Sequence, residues 1–129
     1  MAKKVLIVDD EPNIVASLEY LMGKAGYEVA VARDGDEALA AAESFRPDLV
    51  LLDVMLPRQS GYEVCRTMRG RPDLKDIRIV MLSAKGREAE VSKGLSVGAD
   101  EYVTKPFSNR DLLARVAALL GEAPKPAAP

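Results

Sequence analysis

Histidine and tryptophan do not occur in this chain, cysteine occurs once, and no apolar run is long. Without histidine there is no Ser-His-Asp or Cys-His mechanism, and the usual zinc ligands are missing. Any phosphohistidine would have to be brought by another molecule. The lone Cys65 excludes an intrachain disulfide; set in a helical pattern beside Val64 and Met68, it reads as half-buried packing rather than a redox group. No stretch approaches the ~20 apolar residues of a membrane span. Lys3 and Lys4 are followed by only four apolar residues before Asp9-Asp10-Glu11, so no signal peptide can be built there. A cytoplasmic protein is expected. One-sided charge is also missing: 18 basic residues face 20 acidic ones, for a net charge of -2, leaving no electrostatic footprint for nucleic acid or an anionic membrane.

What is present fits one domain. The 129 residues, 48% apolar and 29% charged, suffice for a single core. Strand-like runs lie near residues 4–9, 27–32, 48–53, 78–83 and 100–103, and helical patterns near 12–25, 36–45, 61–69, 88–97 and 108–120. Ile14, Leu18, Leu21 and Met22 mark the inner face of the first helix, and Leu112, Leu113, Val116 and Leu119 that of the last. Pro12 suits a first helical turn, Gly26 a helix end, and Ser108 an N-cap. Strict alternation of strand and helix predicts a parallel sheet with helices on both faces. The first, third and fourth runs are apolar throughout, as strands buried on both faces must be. The second, Glu28-Val29-Ala30-Val31-Ala32, and the fifth, Glu101-Tyr102-Val103, mix in polar or small residues, as edges do. A flavodoxin-like order 2-1-3-4-5 satisfies this and puts strands 1 and 3 side by side. The domain is expected over 1–120. Gly121 to Pro129 reads as a Pro/Ala-rich tail or the start of a linker, since its internal prolines forbid a continued helix.

The strand ends carry the chemistry. Val5-Leu6-Ile7-Val8 runs into Asp9-Asp10-Glu11, Leu49-Val50-Leu51-Leu52 into Asp53, Ile79-Val80-Met81-Leu82 into Ser83, and Tyr102-Val103-Thr104 into Lys105-Pro106. Ligands in open α/β sheets bind outside the carboxyl ends of the strands. Asp9 and Asp10 then face Asp53 across one strand spacing, about 4.8 Å. Three carboxylates in such a crevice repel each other, and a hard divalent cation relieves the repulsion. Mg²⁺ fits best, because it accepts one or two carboxylates together with water and phosphoryl oxygens. Asp53 is the candidate nucleophile, since carboxylates accept phosphoryl groups as aspartyl phosphate. Ser83 offers a hydroxyl and Lys105 a compact positive charge to phosphoryl oxygens. An aspartate-nucleophile phosphatase of the haloacid-dehalogenase kind would need a second Asp two residues after the nucleophile, where Met55 stands. A flavin or nucleotide module would want glycines in the first turn, which holds Asp-Asp-Glu-Pro.

The ordered set resembles the receiver domain of bacterial two-component response regulators over residues 4–120. The motifs are Asp9-Asp10-Glu11, then Asp53 with Met55-Leu56-Pro57 and Gly61, then Ser83-Ala84, then Gly98-Ala99-Asp100-Glu101-Tyr102-Val103-Thr104-Lys105-Pro106-Phe107. The resemblance implies a signalling switch rather than an enzyme acting on a separate substrate. Asp53 would accept the phosphoryl group, and Asp10, Asp53 and the main-chain carbonyl of Met55 would bind Mg²⁺, with Asp9 acting through water. Ser83 and Lys105 would bind the phosphoryl group, Tyr102 would be the aromatic switch, and the Lys105-Pro106 bond would be cis. The donor would be a sensor histidine kinase or histidine phosphotransfer protein. A downstream protein would bind the face formed by helix 4, strand 5 and helix 5, which a phosphorelay intermediate or phosphate sink would not use for output. Two departures stand out. Arg58-Gln59-Ser60 precede Gly61 where the family often has an acidic residue, and Met55 and Lys85 occupy the two positions that influence phosphoryl lifetime.

Overall fold

A computed structural model describes residues 2–84 and 86–122. Lys85 and most of the expected 121–129 tail lie outside the described residues. Among those described, strands and helices alternate as β1 (Lys4–Val8), α1 (Pro12–Lys24), β2 (Glu28–Ala32), α2 (Gly35–Phe45), β3 (Leu49–Asp53), α3 (Gly61–Arg69), β4 (Arg78–Ser83), α4 (Glu88–Ser96), β5 (Glu101–Thr104) and α5 (Asn109–Leu119). Every strand pair is parallel, and the sheet order is β2-β1-β3-β4-β5. The flavodoxin-like order expected is the order found, with the mixed runs β2 and β5 at the edges.

Because side chains alternate across a strand, the sheet splits the core into two layers. Leu6, Val8, Val50, Leu52, Ile79 and Met81 face α2 and α3, meeting Ala38, Ala42, Val64 and Met68. Val5, Ile7, Leu49, Leu51, Val80 and Leu82 face α1 and α5, meeting Leu18, Met22, Leu112 and Val116. On α1, Val15 is buried where the periodicity pointed to Ile14, which is only partly covered. Cys65 is wholly buried rather than half-buried, because α3 is closed over by the end of α4; its thiol donates to the Val97 carbonyl at 3.5 Å. Burial pushes that thiol up to about 11, which keeps it protonated and inert.

The helix starts are fixed locally. Pro12 opens α1, Asp34 accepts from the Glu37 N–H, Ser60 and Glu63 form a capping box, and Ser108 accepts from the Asp111 N–H. α4 is anchored differently. Its start has no side-chain cap, and Gly94 is its only buried residue. Val91, Leu95 and Val97 do not form a buried face: Val91 and Val97 are only partly covered and Leu95 is 47% exposed. On α5, by contrast, Leu112, Leu113 and Val116 are each fully buried, each contributing roughly 1.5–3 kcal/mol. No helix among the described residues is long and apolar enough to cross a membrane.

Candidate functional site

The register levels the strand ends. Val8 pairs with Leu52, so the residues that follow them, Asp9 and Asp53, sit side by side. Asp53 pairs with Leu82, and Ser83 with Thr104, which brings Lys105 to the same edge. Asp9, Asp10 and Asp53 each offer a carboxylate oxygen, and these oxygens lie within 4.8 Å of one another. Asp9 is 1% exposed and Asp53 7%, while Asp10 stands open to solvent.

Main-chain bonds hold the crevice in shape. The Asp9 N–H donates to the Ala32 carbonyl at 3.1 Å, and the Lys105 N–H to the Ser83 carbonyl at 2.8 Å. The carboxylate of Asp9 accepts from the Glu11 N–H at 2.9 Å and from Lys105 Nζ at 3.2 Å. Lys105 Nζ is farther from Asp53, at 3.8 Å. The lysine therefore neutralises Asp9 first. Asp53 accepts from the Met55 N–H at 3.3 Å. Gly61 makes that close loop possible: its N–H donates to the Val54 carbonyl at 2.9 Å, and a Cβ there would lie 2.4 Å from the Asp53 carbonyl oxygen. Any side chain at 61 would push the loop off Asp53.

Charge balance decides what the crevice can hold. Three carboxylates against one ammonium leave two negative charges uncompensated. Burial above all, then the charge of Asp9, pushes the Asp53 carboxyl up to about 6, overriding Lys105 and the Met55 N–H, which pull it down. A small divalent cation matches that residual charge, and the oxygen-only donor set matches its chemistry. The residues fit the ion.

Each candidate residue has a definite place. Ser83 is fully buried at the end of β4, on the crevice floor. Met55 is 57% exposed at the mouth. The Lys105-Pro106 bond is cis, as the family resemblance implied. Tyr102 lies apart from the carboxylates, its ring packed under α4: a Cβ on Gly94 would come within 2.7 Å of it and 3.0 Å of Met81 Sδ. Tyr62, not singled out by the sequence, joins this group. Its hydroxyl donates to the Glu90 carbonyl at 3.2 Å, and burial and a hydrogen bond with Tyr102 push it up to about 12. Its position directly after Gly61 was the available signal.

Residues 5–117 match the family model for the response regulator receiver domain. The chain is 50% identical over 120 residues to the alkaline phosphatase synthesis transcriptional regulatory protein PhoP of Bacillus subtilis (strain 168), covering 93% of this chain and 49% of that protein. It thus spans about half the length of that relative. Among solved structures, the chemotaxis response regulator CheY4 of Vibrio cholerae is 34% identical with a TM-score of 0.86, over 92% of this chain and 99% of that one. The receiver domain of a sensor histidine kinase from Pseudomonas aeruginosa PAO1, with a magnesium ion coordinated in its active site cleft, is 28% identical with a TM-score of 0.87, over 95% and 100%.

Proposed function

Because the chain belongs to the receiver domain family of response regulators, signalling domains that histidine kinases phosphorylate on aspartate, we propose that Asp53 is its phosphoryl acceptor. The observation that carries this reading is the convergence of Asp9, Asp10, Asp53 and Lys105 at one sheet edge. An Asp53 carboxylate oxygen attacks the phosphorus of a phosphohistidine on the donor protein. The new P–O bond forms as the donor's P–N bond breaks, and the imidazole nitrogen leaves with the electron pair and takes a proton from solvent. Lys105 and the Ser83 hydroxyl receive the phosphoryl oxygens, the first by charge and the second by hydrogen bonding. Asp10, Asp53 and the Met55 carbonyl would hold Mg²⁺, with Asp9 acting through water; the bound ion supplies positive charge to the phosphoryl oxygens. The family member from Pseudomonas aeruginosa, with magnesium in its cleft, supports that assignment.

The chain has no histidine, so the donor histidine reaches Asp53 from outside. Ile14, Pro106 and Phe107 line an apolar cleft of about 450 Å³ next to Lys105 that gives a donor protein a place to rest. The domain catalyses only its own phosphoryl gain and loss. Its output is the α4–β5–α5 face, reached through Ser83 and Tyr102. Incubation with acetyl phosphate and Mg²⁺ should add one phosphoryl group to the wild-type chain. A chelator should prevent it, and Asp53→Asn should remain unlabelled. Equal labelling of that variant would overturn the assignment.

A further inference from the structure

The loop from Val54 to Ser60 carries Met55 past the carboxylates, and it is docked on an element that the phosphoryl chemistry does not use. On one side Gly61 ties it to the backbone of β3. On the other it rests on the turn between β2 and α2. The Gly35 N–H donates to the Pro57 carbonyl at 3.4 Å, an acceptor it shares with the Gln59 N–H at 2.9 Å. Gln59 Nε2 donates to Asp36 at 3.0 Å. Arg58, held at φ 70°, points its guanidinium at Asp34 and Asp36 from 3.7 and 3.8 Å. A residue with a side chain keeps such a backbone angle only where its surroundings hold it. The same turn begins at Ala32, whose carbonyl holds the Asp9 N–H. One short segment thus steadies both the acidic pair and the Met55 loop.

We infer that the β2–α2 turn is the frame that sets the Met55 backbone relative to Asp9 and Asp53, and that Gly35 is its positioning residue. The ion pairs of Arg58 are long and the guanidinium is 67% exposed, so screening leaves them little weight. The close contact at Gly35 matters more. A Cβ there would lie 2.6 Å from the Cβ of Gln59 and 3.0 Å from its carbonyl oxygen. Gly35 is the first residue of α2, where alanine suits the helix better than glycine, so any loss on substitution comes from the loop and not from the helix. This inference rests on the reading of the crevice as a Mg²⁺-dependent phosphoryl site.

The test is a cycle of Gly35→Ala, Gln59→Gly and the double variant, read by calorimetric Mg²⁺ titration and by the amide spectrum of the metal-free protein. Gly35→Ala should weaken Mg²⁺ binding roughly tenfold, as displaced supporting groups do at metal sites. It should also shift the Met55 amide before any metal is added. The double variant, in which the nearer contact with the Gln59 Cβ is gone but that with the carbonyl oxygen at 3.0 Å remains, should bind Mg²⁺ more tightly than Gly35→Ala alone and less tightly than Gln59→Gly. Should Gly35→Ala not fold, the double variant set against Gln59→Gly carries the same test, because the Cβ at 35 still meets the residue 59 carbonyl oxygen at 3.0 Å; equal Mg²⁺ affinity of the two would overturn the inference. Wild-type affinity in Gly35→Ala, or a double variant no better than the single, would overturn the inference. If the wild-type chain itself bound no Mg²⁺, the reading of the crevice would fail, and the metal-free Met55 amide would still decide the role of Gly35.

Discussion

Asp53 holds its proton more tightly than a free carboxyl because burial and the charge of Asp9 outweigh Lys105 and the Met55 N–H. That has a consequence for stability. Its folded pKa, about 6, lies above the 3.8 of a free carboxyl, so the folded protein binds the proton more strongly than the unfolded chain does. The stabilisation is therefore complete below the unfolded value and is lost as pH rises through the folded one. In the presence of a chelator, Asp53→Asn should raise stability at pH 7 by about 1–3 kcal/mol, a gain that fades as pH falls and is gone below about pH 4. Urea unfolding at several pH values checks this; a variant less stable than the wild type at pH 7 would contradict it. Met55 makes a second test at this scale. Its side chain is exposed at the crevice mouth and cannot orient a water by hydrogen bonding, whereas asparagine can. Met55→Asn should shorten the lifetime of the aspartyl phosphate, measured as loss of label. The identities of Asp9, Asp53, Ser83 and Lys105 as a cluster were legible from strand ends alone. Their pairing was not, because nothing in the spacing says that Lys105 sits closer to Asp9 than to Asp53.

Helix α4 is the most thinly buried of the helices, with Gly94 its only buried residue. By helix propensity alone Gly94 would be a weak point, since glycine costs roughly 1 kcal/mol relative to alanine in a helix interior. At Gly94 that reading is incomplete. The missing Cβ is what lets the ring of Tyr102 and the sulfur of Met81 approach the helix. Pairwise packing of this kind is invisible to a pattern along one chain segment. Gly94→Ala should therefore destabilise the protein by about 1–3 kcal/mol, overpacking outweighing the helix gain. An increase in the denaturation midpoint would show the contact to be slack. α4 buries no large side chain, whereas α1 buries Leu18, Leu21 and Met22 and α5 buries Leu112, Leu113 and Val116, so its amides should exchange before theirs.

For the molecule as a whole, two rules made the sheet's edges and interior readable, and the flavodoxin-like pattern supplied the order of the three inner strands. Runs apolar at every position must lie inside a parallel sheet, and the mixed runs Glu28–Ala32 and Glu101–Val103 must lie at its edges. The docking of the Met55 loop was not readable, because Gly35 and Gln59 meet only after the chain has folded across 24 residues. What the arrangement is proposed to do is relay the arrival of a phosphoryl group at one end of β3 to a surface across β4 and β5. Phosphorylation adds close to two negative charges and strong acceptor oxygens beside Ser83, and Ser83 pairs directly with Thr104, one residue before Lys105 and two after Tyr102. The direct test is the amide spectrum of the Mg²⁺-bound chain before and after beryllofluoride, which stands in for the phosphoryl group on Asp53. The account predicts shifts that extend beyond the carboxylate loops through residues 83–107, with Tyr102 and the α4 amides among them. Shifts confined to the neighbourhood of Asp10 and Asp53 would contradict it and would leave a domain that accepts phosphate without changing its output face.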